Sequence, residues 1–388
     1  MKEEKLVFKD VLYQAMLNDE LIKEPEKTLP LNNHPLSVPT WGEEEKQALI
    51  EVINSGKYTM GEKVSDFEAL YSDWCKSKYA VMVNSGSSAN LLMVAAYSLR
   101  QEGAGTVIVP AVSWATSYAP FHQYGWKLKF VDIDKDTLNY DLKSLKSAYT
   151  GKELILAVNL LGNPNDFSKF PSMQVLEDNC ESMGAEYADM KTGNFGFMSS
   201  HSMFFSHHIQ TMEGGVITTD DDYFYQMLLC LRSHGWTRHL PKDNVLKAKV
   251  SSYEFLYPGY NVRPIEMMGA VGVQQMYKID GFIEKRRENA LIWKEICDSR
   301  GWWMQKEIGK SSWFSFAIVN DDIEEIKKEF DSKNIEYRPI VAGNFTKSPS
   351  IKWYNHEIHG DLTNADWIHE KGIYIGNTHQ PINRSLFV

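Results

Sequence analysis

No apolar run in this chain approaches the roughly 20 residues that cross a bilayer, so a membrane-spanning helix is not expected. The opening MKEEKLVFKDVLYQ lacks the apolar centre of a signal peptide, which makes the cytoplasm the expected location. Cysteine is scarce. Cys75, Cys180, Cys230 and Cys297 lie far apart with no CxxC pair, a pattern that points to reduced thiols and to neither a metal nor an iron–sulfur site. Basic charge is not in excess either: the formal net charge is -10, which argues against non-specific binding to nucleic acid or anionic lipid. A small anionic ligand is still allowed, because one pocket can be positive on an acidic protein. Internal repeats and low-complexity tracts are absent as well. What is present is ordinary: 388 residues, 43% hydrophobic and 24% charged, enough for a full core and two or three domains.

Residues 1–35 read as a charged leader. Phe8, Val11, Leu12, Ala15 and Met16 recur at helical spacing before Pro25, Pro30, Pro35 and Pro39 impose an extended linker. From 36 to about 265 short apolar runs alternate with helical stretches. Helices are expected at 43–55 and 65–77, and strands at 80–83, 107–109, 128–133, 155–160, 174–177, 202–205 and 216–219. Such strands imply an α/β sheet, mainly parallel and covered on both faces. A long helix from 264 to about 298 is expected to open a smaller α+β domain, 266–388, with strands at 313–319 and 335–339 around a helix at 322–332.

Four pieces carry chemistry. Ser85-Gly86-Ser87-Ser88 follows a strand and opens a helix, where free N–H groups and the helix dipole suit a phosphate. Trp114, just beyond the second strand, can stack on a flat ring. Asp178 ends an apolar strand in LEDNCES, where a carboxylate calls for a cationic partner, and Glu181 follows three residues later. SHHIQTMEGG then places His207 and His208 before Gly214-Gly215; imidazole both takes and gives a proton near neutral pH. Singly, each has a plainer reading: a polar N-cap, a core aromatic, a structural ion pair, surface histidines. Their order makes the case for a phosphate loop, a stacking aromatic, a carboxylate for a ring nitrogen and then a base.

In that order the pieces resemble the sugar aminotransferases of the DegT/DnrJ/EryC1/StrS family, fold-type I pyridoxal-phosphate enzymes built like aspartate aminotransferase. The likeness runs from about Leu36 to the C-terminus through PAVSW, NLLGNPN, LEDNCESMGA, SHH…TMEGG, HGWTR, PGYNVRP and RPIVAGNF. It implies that Asp178 faces the pyridinium nitrogen and that Glu181 lies near the phenolic oxygen. Ser202, with the backbone of Gly86 and Ser87, would hold the phosphate. Asn261 would reach that phosphate from a neighbouring subunit, making the active unit a homodimer. His234, Arg238, Arg263 and Arg338 become candidates for gripping a nucleotide sugar or glutamate.

The sequence departs from the aminotransferases at one position. Six residues before Glu213, where they carry the lysine that bonds the cofactor, stands His207, and His208 replaces a usual asparagine. Histidine there resembles the sugar 3-dehydratases of the same family. The exchange implies pyridoxal or pyridoxamine 5′-phosphate held without a covalent bond, L-glutamate as amino donor, and an imidazole of pKa near 6.5 that serves as both base and acid.

Overall fold

The computed structural model describes residues 33–170, 172–250 and 253–387; the expected leader helix lies outside them. Two helices, α1 (Glu43–Ser55) and α2 (Glu62–Cys75), precede β1 (Tyr79–Val83), from which α3 (Gly86–Arg100) leads on. Next come β2 (Thr106–Pro110), α4 (Ala115–Gln123), β3 (Lys127–Val131), α5 (Leu142–Ala148), β4 (Leu154–Val158) and β5 (Gln174–Asp178). A small hairpin of β6 (Glu186–Tyr187) and β7 (Met190–Lys191) is followed by β8 (Ser199–Ser202), β9 (Gly215–Thr219) and α6 (Asp222–Arg232). After the segment 233–265, α7 (Glu266–Met276) and α8 (Ile279–Arg300) lead to β10 (Ser315–Val319), α9 (Ile323–Ser332), β11 (Tyr337–Pro339), β12 (His356–Ile358), α10 (Thr363–Lys371) and β13 (Gly372–Gly376).

Eight strands form one sheet in the order β1-β9-β8-β5-β4-β2-β3-β12. Only β9 runs against the others, pairing antiparallel with β1 and β8. The central strands TVIVP and LILAV are buried almost throughout, as strands covered by helices on both faces must be. The expected mainly parallel α/β sheet is therefore present. A second core closes a three-stranded sheet, β10-β13-β11, where Trp293 of α8 stacks on Phe316 with ring centres 5.2 Å apart. The C-terminal chain does not stay beside that small sheet: β12 crosses back to pair with β3 in the large one.

Three expectations need correction. The strand expected at 202–205 is β8, at 199–202; its four residues are small or polar yet fully buried, so apolar patterning misses them, and Met203 instead starts a loop closed by Met203 N–H to Gly214 O and Thr211 N–H to Met203 O. The single long helix is two, α7 and α8, interrupted at Tyr277 and Lys278. Strands β12 and β13 were not anticipated, the first because it is short and carries His356 and Glu357.

Candidate active site

In a mainly parallel sheet the carboxyl ends of the strands share one edge, where loops can converge on a ligand. Here the ends of β1, β2, β4, β5 and β8 deliver Gly86, Trp114, Asn159, Asp178 and Ser202 to one cavity of about 310 Å³. The reversed strand β9 begins at that same edge and brings Glu213 to it.

Ser85 caps α3: its backbone is extended and its hydroxyl accepts from Ser88 N–H. The N–H groups of Gly86 and Ser87, in the first turn, have no acceptor inside the helix and face an edge lined by Ser202. Glycine is required at 86 on packing grounds, since a Cβ there would lie 2.6 Å from Ser202 Cβ and 3.1 Å from Cys180 Sγ. Gly215 is required for the same kind of reason: its Cβ would meet Ser85 O at 2.2 Å. Gly215, the first residue of β9, thus makes room for the start of α3 across the sheet.

Asp178 is only 4% exposed. Its Oδ2 accepts from Asn90 Nδ2 at 2.9 Å and Ser117 Oγ at 2.7 Å, and its Oδ1 from Cys180 N–H at 3.1 Å. Among the described residues it forms no ion pair, although burial makes an unpaired carboxylate expensive. A cationic ring nitrogen in the cavity would supply the missing charge. Trp114 stands at the N-cap of α4, is 57% exposed and lines the cavity. The residues therefore fit a phosphorylated, protonated aromatic ring: anion cradle, stacking surface and buried carboxylate stand around one space.

His207 closes that space from the β8–β9 loop, where its N–H donates to Phe204 O at 2.8 Å. Its ring packs 5.0 Å from that of Phe314, and its Nδ1 is buried with no hydrogen-bond partner. Burial, reinforced by the Arg286 guanidinium, lowers its pKa to about 3. The expected value near 6.5 is corrected accordingly: this imidazole is neutral at pH 7. Glu181 moves the other way. Burial and the neighbouring Asp178 push its carboxyl up to about 7, against the Leu161 N–H that it accepts at 3.0 Å.

Of the residues expected in the site, Gly86, Ser87, Trp114, Asp178, Glu181, Ser202, His207 and Arg338 line the cavity. Asn261, His234, Arg238 and Arg263 do not line it. They belong to the segment 233–265, where Asn261 Oδ1 accepts from Arg263 Nε at 3.0 Å and His234 packs on Trp236. Sequence reasoning missed Asn90 and Ser117, the two side chains that orient Asp178. Asn90 lies one helical turn after Gly86 and so shares its face, a signal that was available. Phe314, just before β10, and Tyr374 of β13 also line the cavity, and nothing local marks them.

A family model for the DegT/DnrJ/EryC1/StrS aminotransferases matches residues 39–381. Over 369 residues, 89% of this chain and 94% of the relative, the sequence is 48% identical to the GDP-4-keto-6-deoxy-D-mannose 3-dehydratase of Yersinia pseudotuberculosis. A crystal structure of GDP-4-keto-6-deoxymannose-3-dehydratase with a trapped PLP–glutamate geminal diamine is 42% identical and superposes with a TM-score of 0.88, covering 92% of this chain and 100% of that one. A histidine-to-asparagine mutant of that enzyme with bound GDP-perosamine is 43% identical, with a TM-score of 0.87 over 91% and 98% of the two chains.

Proposed function

Because the chain belongs to the DegT/DnrJ/EryC1/StrS aminotransferase family, we propose that it is a pyridoxal-phosphate-dependent nucleotide-sugar 3-dehydratase. Its substrate would be GDP-4-keto-6-deoxy-D-mannose and its product GDP-4-keto-3,6-dideoxy-D-mannose, on the way to colitose-type sugars. The observation that carries this reading is the composition of the cavity wall: among the described residues it holds His207 and no lysine.

Pyridoxamine 5′-phosphate bound there supplies an amine for the sugar ketone and a ring that takes up electrons. Gly86, Ser87 and Ser202 would hold its phosphate, Trp114 would cover the ring, Asp178 would face the ring nitrogen, and Glu181, held neutral, would meet the phenolic oxygen. His207, neutral by burial, would accept a proton beside the ring. As imidazolium it is a strong acid in this setting, and it returns that proton to the C3 hydroxyl as water leaves. A lysine amine would bond the cofactor and release an amino sugar; imidazole cannot. Overall, the C3 hydroxyl is replaced by hydrogen, and the two electrons come from L-glutamate, which ends as 2-oxoglutarate and ammonia.

We further infer a homodimer in which Asn261, His234, Arg238 and Arg263 serve the neighbouring cavity, with Arg338 meeting anionic substrate in the chain's own. The same segment exposes Phe255 at 56% and Leu256 at 38%, apolar surface of the sort that a partner covers. A division near residue 265 into a cofactor domain and a smaller C-terminal domain belongs to this reading.

The test is mass spectrometry of GDP-4-keto-6-deoxy-D-mannose incubated with the protein, pyridoxal phosphate and glutamate. Loss of one oxygen with no nitrogen retained is expected. A stable C4 amino sugar, or unchanged substrate and glutamate, would sink the proposal.

A further inference from the structure

Arg286 lies within α8, 4% exposed. A buried guanidinium ordinarily faces a carboxylate, yet among the described residues this one forms no ion pair. Its partners are carbonyl oxygens: Nη1 donates to Phe314 O at 2.8 Å and to Asn377 O, and Nη2 to His207 O at 3.5 Å. Its Nε has no partner at all. One cation thereby joins the loop that carries His207, the approach to β10 and the segment after β13. Phe314, whose carbonyl it holds, is the aromatic against which the His207 ring rests.

A structural reading explains the carbonyl bonds but not the choice of a full charge. Three carbonyls could be met by an amide together with a water, without burying a cation. The charge has a consequence at His207, whose Nδ1 lacks the carboxylate that usually steadies a catalytic imidazolium. We propose that Arg286 is a positioning residue for proton transfer: it fixes the His207 backbone from behind the cavity and sets a permanent positive charge beside the ring, so that the imidazole meets substrate as a neutral base. Once protonated, the ring sits next to a like charge and sheds its proton readily to the departing hydroxyl.

Other groups near His207 act on the same balance. Asp178, Glu181 and Cys180 face the cavity beyond β5, Glu213 stands before β9, and Arg338 and Tyr374 lie on the small sheet. His208 follows in the loop and is itself buried, its ring bonded to Ser312 O at 3.1 Å. Burial first, and then the Arg286 charge, lowers the pKa of His207, His208 and His379 alike. Its own pKa, lowered by burial to about 9, leaves it charged at neutral pH.

This inference rests on His207 being the acid and base, and its test is arranged to separate the two. Histidine ¹³Cε1 shifts are followed against pH in the cofactor-free full-length protein, the His207 signal being assigned by its loss in His207→Asn. In the wild type, His207 is expected to titrate well below 6.5. Arg286→Gln is expected to raise the midpoint by about one pH unit, the order expected for removing a nearby like charge, whereas Arg286→Lys leaves it in place. Should the glutamine variant fail to fold, Arg286→Met, which keeps the length of the side chain and removes its charge, is expected to raise the midpoint likewise. A wild-type midpoint at or above 6.5, or one unmoved by loss or neutralisation of the charge, overturns the proposal. Deoxygenation that survives His207→Asn overturns the underlying assignment instead, whatever the titration shows.

Discussion

Ser117 Oγ donates to Asp178 Oδ2 at 2.7 Å, and Ser113 Oγ donates to Ser117 Oγ at 2.9 Å. Two hydroxyls in series, at positions four apart, brace the carboxylate at Oδ2, and Asn90 donates to the same oxygen. A carboxylate so held keeps its outward direction without needing to reorganise when a cation arrives, which is the advantage of a preformed polar site.

That bracing has a measurable consequence. Ser117→Ala removes a hydrogen bond to a carboxylate, a change of about 1.5–3 kcal/mol, so pyridoxal phosphate should bind roughly ten- to a hundredfold more weakly with the fold intact. Absorbance titration checks this; unchanged affinity would take Asp178 out of the cofactor site.

At the other end of the cavity, Gly86→Ala puts a methyl group 2.6 Å from Ser202 Cβ. The start of α3 must move, at a cost of about 1–3 kcal/mol, and the phosphate cradle moves with it. A lower melting temperature together with lost cofactor retention is expected. Alanine that lowers the melting temperature but keeps full cofactor affinity would show that the phosphate lies elsewhere.

Replacing His207 by lysine returns an amine to the cavity wall. The wild type should carry no cofactor after borohydride treatment, whereas His207→Lys should show a stable mass increase equal to the reduced cofactor. A covalent adduct on the wild type would mean that another residue bonds the aldehyde.

Stability should depend on pH in two opposed ways. His201 and His207 have folded values of about 3 through burial, against about 6.5 unfolded. The unfolded chain takes up protons that the fold refuses, so stability falls as pH drops from about 6.5 toward 3. Glu181 has the opposite sign: raised to about 7, it keeps a proton that the unfolded chain releases from about 4.5 upward, and stability falls as pH rises through that window. Glu181→Gln retains an acceptor for Leu161 N–H but removes the titration. Its melting temperature relative to the wild type should therefore climb between pH 4.5 and 7 and level off above; a constant difference would place the raised value elsewhere.

Much of the site was legible because its parts are local. A helix start that follows a strand through a glycine takes only a few residues, and Ser85 to Ser88 spell that out. A carboxylate at the end of the apolar run Gln174 to Asp178 stands out against its surroundings. Strand β8 was displaced by three residues because its small polar side chains, buried only by the tertiary fold, carry no apolar signal, while the neighbouring Met203, Phe204 and Phe205 carry a misleading one.

Sequence alone therefore determined the class of sheet, the cradle at Gly86, the carboxylate at Asp178 and the histidine that stands where a lysine is usual, since each depends on residue type and short-range order. Only the tertiary structure decided that Asn90 and Ser117 aim Asp178, that β9 begins against Ser85, and that Arg286 lies behind His207. Those relationships join segments up to 130 positions apart, the span from Ser85 to Gly215, and charge, burial and hydrogen bonding act through space, where the order of residues along a chain has no direct say.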